Sequence, residues 1–579
     1  MRKRLGALAA GIFLLAVCGR AEQGKVPDFP AFIFGHIVWE DESTSQSLRD
    51  LVKGYQDRQI PVSGVIIDSP WETAYNTFEF DTKRFPDYQK LIAELKGQNL
   101  AVILWITSAI NTDDPDYNYA LKKGYFAPGL EKYKWWKGTG GLIDYKNGEA
   151  MKFWHQRMDK ALDLGIDGWK VDGIDGAIAV KSLKKRNEYA KDYYSDMFYY
   201  SREHTGKPTV VMARGIERYN EHSMSLPSWV NPLHLGIDLA YAPLEASFMT
   251  WTGDHNPNWD GIQDAWLDFK LCAEAGYLSP GFDIYGYRNG KPNKELFVRW
   301  AEWGAFVPFM ENGGVPDHRP WSFGEDVLGI YRQLAVWHEE LGWYFYSLVP
   351  ERFASRHSLI EPQGKSYFLG DSILVAPILK PDGKVSARFP QGRWRYWFDF
   401  EKVYQQGDAI PRRFPLEEFP VYIREASLVP LWVKSPFGHH QLNSAFVSQD
   451  TFWLLPGSGE GTRGIYYPDH GRGKVSWKRD AQTVRVSAEG LETEVVLLVE
   501  GVGAGPGKIE RTDRELEKSA VGKMVSFLKK TTAAGGKTLE KVDCEKLKPG
   551  GGAQYCVRGS QLFVEMNPVF GKAELEISF

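Results

Sequence analysis

From about residue 30 to 345, short apolar runs alternate with amphipathic stretches. Gly64-Val65-Ile66-Ile67-Asp68 and Leu100–Ile106 are apolar runs of strand length, and Tyr88–Gly97 between them has helical spacing. Further runs of the same kind fall at Gly168–Asp172, Thr209–Ala213 and Tyr277–Phe282. Apolar strands alternating with helices predict a parallel sheet buried on both faces. The number of units predicts that the sheet closes into a (β/α)8 barrel. Polar residues recur at or just past these strand ends: Asp68, Asp172, Arg214, Asp254 and Asp283. Such barrels carry their functional groups there. A strand-end Asp also caps the next helix, a reading that explains one of them better than five.

Around 345 the pattern changes. Tyr367–Pro377, Gly392–Phe400 and Pro420–Val433 read as short strands with Gly and Pro turns, predicting a proximal β-sandwich over 346–435. The remainder, 436–579, reads as a second, distal β-rich module. It is Gly- and Lys-rich after Gly501, with a flexible patch near 528–553, and ends in the alternating Leu562–Phe579. The fold class is therefore α/β: a TIM barrel over 30–345 followed by C-terminal all-β sandwich domains.

Residues 1–22 read as an export signal. Arg2, Lys3 and Arg4 precede the apolar Leu5–Val17, which is shorter than the ~20 residues of a membrane span. Leu15-Ala16-Val17-Cys18 partly resembles a bacterial lipobox, with Val17 where a small residue is preferred. A lipid anchor at Cys18 and a cleaved soluble form both stay open. The expected location is exported: periplasmic, outer-membrane-anchored or extracellular.

A net charge of −4 without a long basic run argues against nucleic acid or an anionic membrane surface as partner. No Cys/His cluster has zinc spacing, and His439-His440 reads as a surface pair. No metal or cofactor is expected. Cys272 lies in an apolar helical pattern and reads as a buried thiol, whereas Cys544 and Cys556 flank a loop-like stretch and either pair or stay reduced. The 21 Trp, 28 Tyr and 32 Phe are mostly core material, but flat aromatic faces also line clefts that hold sugars.

The chemistry concentrates in Gly168-Trp169-Lys170-Val171-Asp172-Gly173 and Trp251-Thr252-Gly253-Asp254. The two aspartates are 82 residues apart, roughly two βα units, so one closed barrel brings both to the same face. Two carboxylates ~5–5.5 Å apart are the minimum for cleaving a glycosidic bond with retention. Asp172 is the candidate nucleophile and Asp254 the candidate acid/base, its pKa expected to be raised by its charged neighbour. Lys170 faces the same way as Asp172 on a strand. It either keeps Asp172 ionised and holds a sugar hydroxyl, or serves as a structural ion-pair partner. The segment Asp254–Asp260 also spaces oxygen ligands like a calcium loop, but Trp259 stands where glycine is needed and Ala265 where glutamate is needed.

Asp68 is a candidate to accept two sugar hydroxyls, and Arg214 to bridge sugar and Asp254. Trp105, Trp136 and Trp251 are candidate walls for the ring, while Trp321 reads as packing. Asp283 reads as an orienting group, and Asp175 as either an acidic pocket residue or a loop aspartate. Glu311 and Asn312 are candidates to read the substrate, with pairing to Arg319 the alternative for Glu311.

At these motifs the chain resembles glycoside hydrolase family 31, the α-glucosidase, α-xylosidase and α-galactosidase group. The resemblance is spread over about 30–435 and rests on an ordered set. It comprises Trp135-Trp136, Leu142-Ile143-Asp144-Tyr145 and Phe153-Trp154, then Trp169–Asp172, Arg214, Trp251–Asp254 with Trp259, and Phe282-Asp283-Ile284. Glu295–Trp300, Ala305–Pro308, Pro320-Trp321 and Gly370–Pro377 continue it. It implies an exo-acting α-glycosidase working through a glycosyl-aspartate, with an oligosaccharide or glycoside as substrate. α-Glucose is the commonest answer; α-galactose, α-xylose and N-acetyl-α-galactosamine stay open. An α-transglycosylase and a catalytically silent carbohydrate-binding protein are the alternatives.

Two departures stand out. The N-terminal β-sandwich usual in the family is expected to be absent, because barrel-like strands begin close to the signal. Glu311 and Gly313 fill the places where the family usually shows an Arg and a His. Gly313 is expected to leave room beside the sugar, favouring a substituent or a different epimer.

Overall fold

The computed structural model describes residues 28–172, 183–216, 242–433 and 449–500, apart from short breaks, and six strands beyond 507. The signal region with Cys18, Asp175, His439-His440, Cys544 and most of the 528–553 patch lie outside the described residues. Among the described residues no helix is long and apolar enough to cross a membrane.

The chain opens the barrel with β1 (His36–Val38), β2 (Gly64–Ile67) and β3 (Ala101–Ile106). A small antiparallel sheet follows: β4 (Ala109–Asn111), β5 (Tyr133–Trp135) and β6 (Gly138–Leu142). Then come β7 (Gly168–Val171), β8 (Val210–Arg214), β9 (Met249–Trp251), β10 (Ser279–Gly281) and β11 (Met310–Asn312). Eight of these form one parallel sheet in the order β10-β9-β8-β7-β3-β2-β1-β11. The ring closes between its two outer strands just past β10, where Asp283 bridges Glu311 and the Ile284 N–H donates to the Glu311 carbonyl at 2.9 Å. Every residue of β2, β3, β7 and β8 is buried, which is why these strands read as apolar runs rather than alternating ones.

The surrounding helices follow their sequence signals. The helix Ser45–Asp57 starts with a capping box of Thr44 and Ser47 and buries Leu48, Leu51, Val52 and Tyr55 at i, i+3, i+4 and i+7. The expected helix Tyr88–Gly97 is present and buries Leu91, Ile92 and Leu95. Cys272 is a buried free thiol, as expected, in the helix Trp259–Glu274.

The long helix Glu325–Ser355 ends the barrel. A six-stranded sheet follows: β12 (Ile360–Gln363), β13 (Ser366–Leu369), β14 (Ile373–Val375), β15 (Arg393–Tyr396), β16 (Asp399–Gln405) and β17 (Val421–Arg424). The expected boundary at 435 is corrected. β18 (Leu428–Val433) pairs with Gln449–Leu454 and belongs to the distal module of two six-stranded sheets. The chain changes sheet at Glu425–Ser427, with Ala426 at φ +56°. This short turn interrupts an apolar run that reads as continuous.

His36 is fully buried in β1. Its Nδ1 lies 2.7 Å from the Pro61 carbonyl, which only accepts, so the proton sits there and Nε2 accepts from the Tyr331 hydroxyl at 2.9 Å. Burial pushes the imidazole down to about 4, against the pull of Pro61 and Glu339. A depressed pKa means that the neutral ring stabilises the fold fully above its ordinary value near 6.5. That contribution, about 3 kcal/mol at most, is lost as pH falls through the folded value. Denaturant unfolding should therefore show stability falling between pH 6.5 and about 4. His36→Asn should be less stable at neutral pH and lose less over that window; an equal decline in both proteins would rule His36 out as its source.

Candidate active site

The strand ends bring Asp68, Lys170, Asp172, Arg214, Trp251, Asp254, Asp283 and Glu311 to the C-terminal face of the barrel. Asp172 continues β7, its N–H bonding the Ile106 carbonyl of β3 at 2.9 Å. Arg214, the last residue of β8, joins the two candidate catalytic groups. Its Nε donates to Asp172 Oδ1 at 2.8 Å, and its Nη2 reaches Asp172 Oδ2 at 3.4 Å and Asp254 Oδ1 at 3.0 Å. Trp105 Nε1 donates to Asp172 Oδ2 at 3.3 Å, and the Arg214 guanidinium lies 4.1 Å above the Trp251 ring. The glycine of Trp-Thr-Gly-Asp has a physical reason. Gly253 has φ +95°, and a Cβ there would stand 2.4 Å from Arg214 Nη1.

The Asp172 side chain is 9% exposed and Asp254 31%, so Asp254 is the more open of the two. Burial works to raise the Asp254 carboxyl, but the Arg214 charge and hydrogen bond, aided by Arg288 and Lys170, outweigh it and hold the group below the ordinary aspartate range. This reverses the expected upward shift, because a cation lies between the two carboxylates.

Lys170 is buried beside Asp68 Oδ2 at 3.2 Å and Glu311 Oε1 at 3.4 Å, with its ammonium 3.7 Å from the centre of the Trp39 ring and 5.0 Å from that of Trp251. Burial acts to lower its pKa, but Asp68, Glu311 and Asp283 raise it well above the ordinary lysine value. Burial, reinforced by the Glu311 charge, pushes Asp283 well up. Its side chain also hydrogen-bonds that of Glu311, an arrangement that two acids adopt when one of them, here Asp283, carries a proton to donate.

Three expectations are corrected. Asn312 points away from the pocket: its Nδ2 donates to the Tyr55 hydroxyl at 2.8 Å and the His318 carbonyl at 3.0 Å, under the first barrel helix. In a strand neighbours face opposite ways, so Glu311 inside puts Asn312 outside. Trp136 is 53% exposed and packs on Trp135, which meets Tyr75, which meets Trp105; two rings separate it from the pocket wall. Gly313 leaves no room, because its Cβ would stand 2.4 Å from the Trp39 indole. Glu311 does not pair with Arg319, which bonds Glu40, and Trp321 packs under Arg58, as expected.

Sequence reasoning missed Trp39, Asp41, Tyr287 and Arg288. Trp39 stacks on Tyr287 at 6.0 Å. Burial and then the Asp68 charge push Asp41 up to about 6. Arg288 Nε donates to the Asp254 carbonyl at 3.3 Å. Trp39 and Asp41 follow β1 as Asp68 follows β2, so the strand-end rule would have found them had that three-residue strand been recognised.

A family model for the glycosyl hydrolases family 31 TIM-barrel domain matches residues 26–348, and one for the family 31 C-terminal domain matches 354–429. An α-xylosidase from Emericella nidulans is 25% identical over 448 residues, covering 70% of this chain and 54% of the relative. An α-glucosidase 2 from Bacillus thermoamyloliquefaciens is 24% identical with the same coverage. The chain thus spans about half the length of these curated relatives. Among solved structures, a family 31 dextranase from Flavobacterium johnsoniae complexed with glucose superposes with a TM-score of 0.78 at 17% identity, over 96% of this chain and 71% of that one. A cycloalternan-forming enzyme from Listeria monocytogenes does so with a TM-score of 0.76 at 19% identity, over 96% and 55%. With the barrel model covering more than half of the chain, this protein belongs to glycoside hydrolase family 31.

Proposed function

We propose that this protein is a retaining, exo-acting α-glycosidase that releases the non-reducing terminal sugar of an α-linked glycoside. The observation that carries the proposal is the single guanidinium joined to both Asp172 and Asp254. One Asp172 oxygen and one Asp254 oxygen lie 3.4 and 3.0 Å from the same nitrogen, which caps their separation at about 6.4 Å, the sum of the two. That suits attack by one carboxylate and protonation by the other.

Asp172 attacks the anomeric carbon as Asp254 gives its proton to the glycosidic oxygen, and the leaving group departs as an alcohol. Asp254, now a carboxylate, takes a proton from water as that water attacks the glycosyl-aspartate and frees Asp172. The names of the curated relatives favour α-linked xylose or glucose as the sugar. Export, proposed on residues 1–22, is checked by fractionation: an unprocessed cytoplasmic protein would overturn it.

An aryl α-glycoside screen over glucose, xylose, galactose and N-acetylgalactosamine tests the function. Asp172→Asn should reduce turnover to background. Asp254→Ala should cost about 10²–10⁴-fold on sugar-to-sugar linkages and much less on aryl glycosides with good leaving groups; equal losses would remove Asp254 as the acid. Transfer to an added acceptor sugar in preference to water would identify a transglycosylase, and sugar binding without cleavage a silent binding protein.

Arg214 holds the Asp254 carboxyl down, and the alkaline limb of kcat/KM reports the proton that Asp254 must carry. Arg214→Met should therefore move that limb to higher pH while lowering the maximum. A limb that stays in place, or moves to lower pH, would mean that another group supplies the proton.

A further inference from the structure

The two departures from the family pattern, Glu311 and Gly313, converge on one side chain. Glu311 Oε1 is 3.4 Å from Lys170 Nζ, and Asp68 Oδ2 is 3.2 Å from it. The Trp39 indole lies over the same ammonium at 3.7 Å. Trp39 can lie there only because residue 313 has no side chain, since a Cβ would stand 2.4 Å from the indole. An arginine at 311 would set a second buried cation against Lys170. The ammonium has three donors. Two carboxylates and one aromatic face surround the ammonium, and the Lys170 side chain is 4% exposed.

We propose that Glu311, Gly313 and Trp39 form a clamp that fixes Lys170 as the countercharge of Asp68, and that they set sugar affinity through that carboxylate. Asp68 Oδ1 accepts from the Ser69 N–H at 2.8 Å. A carboxylate has about four acceptor directions, so Asp68 keeps acceptor capacity for sugar hydroxyls as long as it is ionised. Burial pushes Asp68 up, and Lys170 is the main group opposing that. Glu311 and Trp39 are thus positioning residues: they touch Lys170, and Lys170 acts on Asp68. The ligand this arrangement selects is a neutral sugar that donates hydroxyls to Asp68. The inference rests on the pocket being the sugar site of the proposed glycosidase.

The test compares wild type with Glu311→Gln, Trp39→Phe and Lys170→Met on the aryl glycoside that the wild type cleaves, with folding checked by thermal melts. Glu311→Gln should raise KM about tenfold while kcat stays within about threefold, and Trp39→Phe should shift KM in the same direction by less. In Lys170→Met the KM should fall more steeply than in the wild type as pH rises from mildly acidic to neutral, because Asp68 has lost its countercharge and must be deprotonated to accept, whereas Asp41, pushed up to about 6, titrates in both proteins. Unchanged KM in the folded variants, or a profile in Lys170→Met no steeper than that of the wild type, overturns the clamp. If Glu311→Gln does not fold, Trp39→Phe and Lys170→Met decide it alone. A wild type that cleaves no glycoside overturns the glycosidase reading instead. The clamp is then judged by calorimetry of free monosaccharides, where equal affinity in wild type and variants overturns it.

Discussion

Two neighbouring carboxylates stay ionised together only where a cation lies between them, and in this barrel Arg214 is that cation for Asp172 and Asp254. Much of the site's construction follows from letting one guanidinium reach both. Arg214 leaves the end of β8 aimed across the barrel mouth, Trp251 on the next strand supports its face, and Gly253 removes the side chain that would block it. The same contact holds Asp172 as a hydrogen-bond acceptor and keeps Asp254 below the ordinary aspartate range. In the proposed reaction a substrate oxygen between them would compete with Arg214 for Asp254, and weakening that grip would let burial raise the carboxyl toward a value useful for protonation.

A second set of charges lies where the ring is joined. β10 and β11 are not paired along their length; the ring meets at the Asp283–Glu311 bridge. Both side chains are acids, one of them favoured as neutral, and Lys170 balances the other. A buried ion pair contributes little net stability against an apolar replacement of similar volume, because desolvation offsets the attraction. The persistence of so many charged groups at this seam is therefore better explained by the pocket they hold in shape than by stability.

The strand-end rule made much of this legible in the sequence. Asp68, Asp172, Arg214, Asp254 and Asp283 follow runs apolar enough to be seen as strands, and all five arrive at one face. The misses share a cause, which is that side-chain direction depends on register. Glu311 and Asn312 are adjacent and look equally available, but the pleat sends one inward and the other to Tyr55. Trp135 and Trp136 look interchangeable, yet one is buried beside Tyr75 and the other is exposed. β1 is three residues long and too short to show a period, so Trp39 and Asp41 stayed hidden with it. The upward shift expected for Asp254 is reversed because the sequence shows two acids near each other in the fold but not the cation between them.

Trp39 changes what the pocket can discriminate. A glycine in place of a larger residue suggests free space, and space suggests a bulkier sugar. Here the buried indole occupies that space, so the substitution opens no room. In the proposed glycosidase, discrimination among sugars would then fall to polar groups near Trp39. Asp41, its carboxyl pushed up to about 6, and Tyr287, stacked on that indole, are the ones sequence reasoning did not reach. A carboxyl poised near neutrality accepts from a hydroxyl when ionised and donates to one when protonated. In the proposed glycosidase the choice of sugar would then follow the protonation of Asp41 as well as the shape of the site.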